Sequence, residues 1–109
     1  MLFLAIINLA DEGNAIEVRG EVLDLACYVH KGAYGEKHKK CAEMCIKSGS
    51  PIGILTDDGK VYLIVEDHDN SKPYQELKNY AAQKVSVKGT LYNRGNLPAI
   101  VISEVKPIK

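Results

Sequence analysis

The sequence predicts a small, mainly β domain whose strands close into a barrel, with helices inserted between them. Three observations predict it. Apolar and polar residues alternate from Ile16 onward, which is the period of a half-buried strand. Turn sequences, Asp57-Asp58-Gly59 and Asn93-Arg94-Gly95-Asn96, separate apolar runs. Val18-Arg19-Gly20-Glu21-Val22 is echoed by Val87-Lys88-Gly89-Thr90-Leu91, and a glycine at the same place in two strands suits sharply coiled barrel staves.

Taken in order, residues 1–15 form an N-terminal apolar segment and residues 16–109 a single domain. The start, Met1 to Ala10, is too short to span a bilayer. It reads either as part of an export signal cut near Gly13-Asn14-Ala15, or as an extra first strand turned back by Asp11 to Asn14. Ile16 to Tyr28 reads as one long strand. Lys31-Gly32 and Tyr34-Gly35 then break the pattern, and a helix follows from Gly35 or Glu36 to Lys47, ended by Ser48-Gly49-Ser50-Pro51. Ile52–Thr56 and Lys60–Val65 form a hairpin. Asp67 to Ser71 is a polar loop, and Pro73 opens a helix whose apolar face is Tyr74, Leu77, Tyr80 and Ala81. Val85–Tyr92 and Leu97–Val105 complete the strands, with Pro98 required at a strand start or edge. Five strands with a helix before the fourth is the layout of an OB-like barrel. The helix between strands one and two is an addition to it.

Composition narrows the function. The chain has 109 residues, with 14 basic and 14 acidic side chains and a formal net charge of zero. Only Arg19 and Arg94 are arginines, and there is one phenylalanine and no tryptophan. Nucleic-acid binding, which many OB barrels perform, needs basic charge and stacking aromatics, so no nucleic-acid partner is expected. No Ser-His-Asp or phosphate-loop pattern supports an enzyme.

All three cysteines and two of three histidines fall within one segment, Cys27-Tyr28-Val29-His30 through His38-Lys39-Lys40-Cys41-Ala42-Glu43-Met44-Cys45. On a helix, His38, Cys41 and Cys45 share a face. Cysteine and histidine together are soft and borderline ligands for copper or zinc, so the candidate metal ligands are Cys27, His30, His38, Cys41 and Cys45, with Met44 as a further thioether. Haem is a second cofactor candidate, although the Cys-x-x-Cys-His of covalent c-type haem is absent. Asp24 precedes Cys27 and is placed to support a histidine or to make a polar edge contact.

Other readings stay open beside this one. The cysteines can be small buried residues, or a redox pair in which Lys37, Lys39, Lys40 and Lys47 stabilise thiolate; the same lysines also read as a solvated helix face. Three cysteines allow one internal disulfide at most. Cys41 with Cys45 suits it poorly, because one helical turn holds their Cβ atoms about 5–6 Å apart where a bridge needs about 3.5–4.5 Å.

Gly20-Glu21-Val22-Leu23-Asp24-Leu25-Ala26-Cys27-Tyr28, the His-x-x-Cys-Ala-x-x-Cys of residues 38–45, and Gly49-Ser50-Pro51-Ile52-Gly53 resemble a group of small, mostly uncharacterised bacterial domains with an OB-like barrel, often exported. The resemblance spans roughly residues 16 to 106 and implies a fold, a site and an exported or periplasmic location, but no activity. Cys41-Ala42-Glu43-Met44-Cys45 is also similar to the Cys-x-Glu-x-Cys loop of dinuclear copper centres in cytochrome oxidase subunits. Those need a histidine where this chain has Gly49.

The expectation is a metal-binding accessory, carrier or electron-transfer domain that works with a protein partner or a metal donor or acceptor. It touches a membrane only through a signal or anchor at its start. The alternative is an OB-type protein-interaction module whose cysteines are structural or redox-active.

Overall fold

The alternating strands close on themselves. A computed structural model of the chain describes residues 13–108; the two readings of residues 1–15 fall mostly on residues 1–12, outside the described residues, while Asn14 and Ala15 are the first residues of the strand that continues to Asp24 and belong to the barrel. The order is β1 (Asn14–Asp24), α1 (Leu25–Lys31), a 3-10 turn (Glu36–His38) leading into α2 (Lys39–Lys47), β2 (Ile52–Leu55), β3 (Val61–Val65), α3 (Lys72–Leu77) extended by a 3-10 turn (Lys78–Tyr80), β4 (Lys84–Arg94) and β5 (Leu97–Pro107). The strands form a closed barrel in the order β1-β2-β3-β5-β4. All neighbours are antiparallel except β3 and β5. This is the OB-like architecture the pattern predicts. Among the described residues no helix is long and apolar enough to cross a membrane.

Closure depends on the two echoed glycines. A Cβ on Gly20 would collide with the Leu55 carbonyl, and one on Gly89 with the Val101 carbonyl. The β4–β5 register also shifts between Lys88 and Gly89, the local bend that lets a stave turn the corner. Inside, Val22, Ile52, Ile54, Ile64, Val85, Val87, Ile100 and Ile102 are buried. Leu77 and Ala81 join this core from the α3 segment, and Ala42 and Ile46 from α2. Pro98 sits where expected, one residue before the β3 pairing begins at Ala99.

The boundary that differs most from the sequence reading is the end of the first strand. The first strand does not continue to Tyr28; it ends at Asp24, and Leu25–Lys31 is helix. The Asp24 carboxylate causes the change, because its Oδ1 accepts hydrogen bonds from the N–H groups of Ala26 (3.0 Å) and Cys27 (3.4 Å) and so satisfies two donors that a new helix leaves free. At the other end the Gly32 N–H donates to the Tyr28 carbonyl at 2.8 Å. Cys27 therefore sits in the first turn of a helix and not at the tail of a strand.

Candidate metal centre

Two helices and the end of β1 build the site. Ala42 and Ile46 of α2 are buried against the core, which fixes the rotation of that helix. Cys41 and Cys45, one position away on the helical wheel, fall at the edge of the buried stripe. α1 starts at the same corner because Asp24 ends β1 there. The loop between the helices is tied back to the barrel by the Gly35 N–H, which donates to Glu21 Oε2 at 2.6 Å, and it delivers His38 to the start of α2.

The result is a cluster of sulfur atoms. The ligand atoms of Cys27, Cys41 and Cys45 all lie within 4.8 Å of one another, and the three thiols are free. A second group shares Cys27: Asp24, Cys27 and His38 also bring ligand atoms within 4.8 Å of one another. Each group could hold a metal ion. Cys41 is exposed, while Cys27 and Cys45 are half-buried, so the centre opens to solvent on the Cys41 side.

Asp24 is the electrostatic hinge of the arrangement. It is the one buried charged residue among the described residues, and its effect on Cys27 and Cys45 is the largest influence on both thiols. The carboxylate, followed by loss of solvent and by the other thiols, pushes the Cys27 thiol up to about 12. Cys45 is raised for the same first cause. The redox reading expects the opposite, thiolates favoured by Lys37, Lys39, Lys40 and Lys47. The nearby carboxylate outweighs these lysines at Cys27 and Cys45.

Two polar atoms at the centre have no hydrogen-bond partner. Asp24 Oδ2 and His38 Nε2 are buried, neither makes a hydrogen bond, and they lie 3.9 Å apart. Burying a donor or acceptor unpaired is costly. A cation held by Asp24, Cys27 and His38 would give both atoms a partner and offset the negative charge that raises the Cys27 thiol. The donor sets could therefore hold a metal ion at this corner.

Of the five ligands read from the sequence, the fold gathers Cys27, Cys41, Cys45 and, beside Asp24, His38. It does not gather His30. That histidine is exposed in the last turn of α1, outside both groups, and Met44 is 71% exposed on the solvent side of α2. Asp24, which the sequence offers only as a support for a histidine or a polar edge contact, stands at the centre itself. Its signal was present as an N-cap residue followed by helix formers, with His30 and Lys31 in a last turn and Gly32 just beyond it.

No protein-family model, curated protein or solved structure matches the chain.

Proposed function

We propose that this domain is a carrier for a soft transition metal, copper(I) or zinc, held by the thiolates of Cys27, Cys41 and Cys45, with His38 and Asp24 completing or supporting the set. The single observation behind this reading is the convergence of the three sulfurs within 4.8 Å. Thiolate-rich sites select copper(I) and zinc over harder cations. A closed site of four ligands is the mark of structural zinc. Here one of the three thiols is exposed, which suits loading and release. An accessory role in metal delivery or electron transfer follows from that opening, and an exported location follows from the family resemblance.

The interaction-module reading has one observation in its favour: Asp24 raises the thiols of Cys27 and Cys45 above their ordinary range, which suits inert thiols. It gives no account of the orphaned Asp24 Oδ2 and His38 Nε2. Metal analysis of untagged protein separates the two. Carriage predicts about one copper or zinc per chain, lost when Cys41 and Cys45 are both changed to serine. An inert cluster predicts no bound metal and the same result in wild type and variant. N-terminal sequencing of the protein from its native host tests export.

A further inference from the structure

The exposed side of α2 carries a second pattern that the metal centre does not use. Lys40, Met44 and Lys47 follow one another on α2 at helical spacings of four and three, so they form one stripe with Cys41 at its edge, and Lys37 stands in the 3-10 turn that leads into the helix. Lys37, Lys40 and Lys47 are exposed, and Met44, at 71% exposure, is among the few large apolar side chains of the described residues left in solvent. Lys40, Glu43, Met44 and Lys47 line a shallow surface groove of about 320 Å³. The ion pairs of the described residues involve Lys84, Lys88, Lys106 and His38. Among those residues, then, no carboxylate lies within 4.0 Å of Lys37, Lys40 or Lys47.

The charge is localised. The chain as a whole has a formal net charge of zero, yet Glu36 to Lys47 contains four lysines against two glutamates. An excess of lysines over glutamates around an exposed apolar side chain, with Glu43 in the same groove, forms beside the one exposed thiol of the cluster a surface complementary to an acidic protein. Such a surface beside the opening of the site bears on how metal would leave it.

Resting on the metal-carrier reading above, we propose that this face of α2 docks an acidic-surfaced acceptor protein bearing thiol ligands, and that metal passes to it through Cys41. The transfer is a ligand exchange. An acceptor thiol loses its proton to solvent and forms a bond to the metal as the bond from Cys41 Sγ breaks, and Cys41 Sγ takes a proton from solvent. No electron moves, so copper(I) stays copper(I). Cys27 and Cys45, half-buried beside Asp24, release later. Lys37, Lys40 and Lys47 hold the carboxylates around the acceptor's thiols, and Met44 packs between them.

Two probes test this directly. The full chain loaded with copper(I) is mixed with one of two synthetic peptides carrying the same Cys-x-x-Cys segment, flanked by glutamates in one and by lysines in the other. The expected result is transfer about tenfold faster to the glutamate peptide. The difference should disappear in about 1 M salt, where charges are screened beyond about 3 Å, and should reverse in a Lys37→Glu, Lys40→Glu, Lys47→Glu variant that loads the same amount of copper. In the metal-free protein, limited alkylation with neutral iodoacetamide should label Cys41 before Cys27 and Cys45, as read by mass spectrometry. Equal rates for the two peptides, or first labelling at Cys27 or Cys45, overturn the proposal while leaving the metal centre standing. Failure of wild-type protein to load either copper(I) or zinc overturns both.

Discussion

Along the barrel the buried positions are filled almost wholly by aliphatic side chains, from Val18 to Val105. The insertion between β1 and β2 is built differently. It buries only Ala42 and Ile46 and gathers instead three thiols and an imidazole, with the Asp24 carboxylate at its threshold. The contrast extends to unmet polar demand: among the described residues, two of the three buried side-chain nitrogen or oxygen atoms without a hydrogen-bond partner, Asp24 Oδ2 and His38 Nε2, meet at this corner. A closed barrel can tolerate such a corner because its own stability comes from packing elsewhere. The insertion needs only two apolar anchors to be held in register, which leaves its other faces free for ligands.

That division of labour can be broken from either side. The largest expected effect is on metal affinity. Changing Cys41 and Cys45 together to serine should lower it at least about a hundredfold, with the circular-dichroism spectrum unchanged, because Cys41 is exposed and Cys45 is half-buried. Gly89→Ala acts on the other region. The added methyl meets the Val101 carbonyl, and a loss of about 3 kcal/mol or more in chemical denaturation is expected. Ile46→Ala tests the joint between them. Ile46 is fully buried, so about 3 kcal/mol should be lost, and metal affinity should fall with it because α2 is no longer pinned. A stable Ile46→Ala protein with unchanged metal affinity would show that the insertion orders itself.

Smaller effects fall on Asp24. Asp24→Asn keeps a weaker cap for α1, for a cost of about 1 kcal/mol, but removes the negative charge that acts on the thiols. The Cys27 thiol, pushed up to about 12, should then titrate at lower pH, as followed by ultraviolet thiolate absorbance. The sign of the pH dependence follows. A thiol raised from 9.0 to about 12 on folding binds its proton more tightly in the folded state, so metal-free protein should hold its stability below pH 9 and lose it progressively between about pH 9 and 12. Metal-loaded protein should not show that loss. Metal affinity should instead rise with pH, since each raised thiol must release a proton to bind.

Much of the barrel could be read from the sequence because its signals are local. Asp57-Asp58-Gly59 turns one hairpin, Asn93-Arg94-Gly95-Asn96 turns another, and Gly20 and Gly89 mark the sharp bends in β1 and β4. The end of β1 was not legible in the same way. Leu23-Asp24-Leu25 continues the strand's alternation, and the switch to helix rests on one carboxylate accepting from Ala26 and Cys27. The candidate site was legible as a residue set and not as a geometry. His30 and His38 look equivalent in sequence, but α1 ends with its last turn in solvent, while the loop tied to Glu21 carries His38 inward. The pairing of Asp24 with His38 depends on that loop and leaves no trace in local spacing.

X-ray absorption on the loaded protein tests the central claim most directly, because it counts the sulfur atoms around the metal. With zinc bound, three thiolates converging from α1 and α2 predict a first shell dominated by sulfur at about 2.3 Å, lost when Cys41 and Cys45 are serine. A shell of nitrogen and oxygen alone, or a spectrum identical in the serine variant, would contradict it.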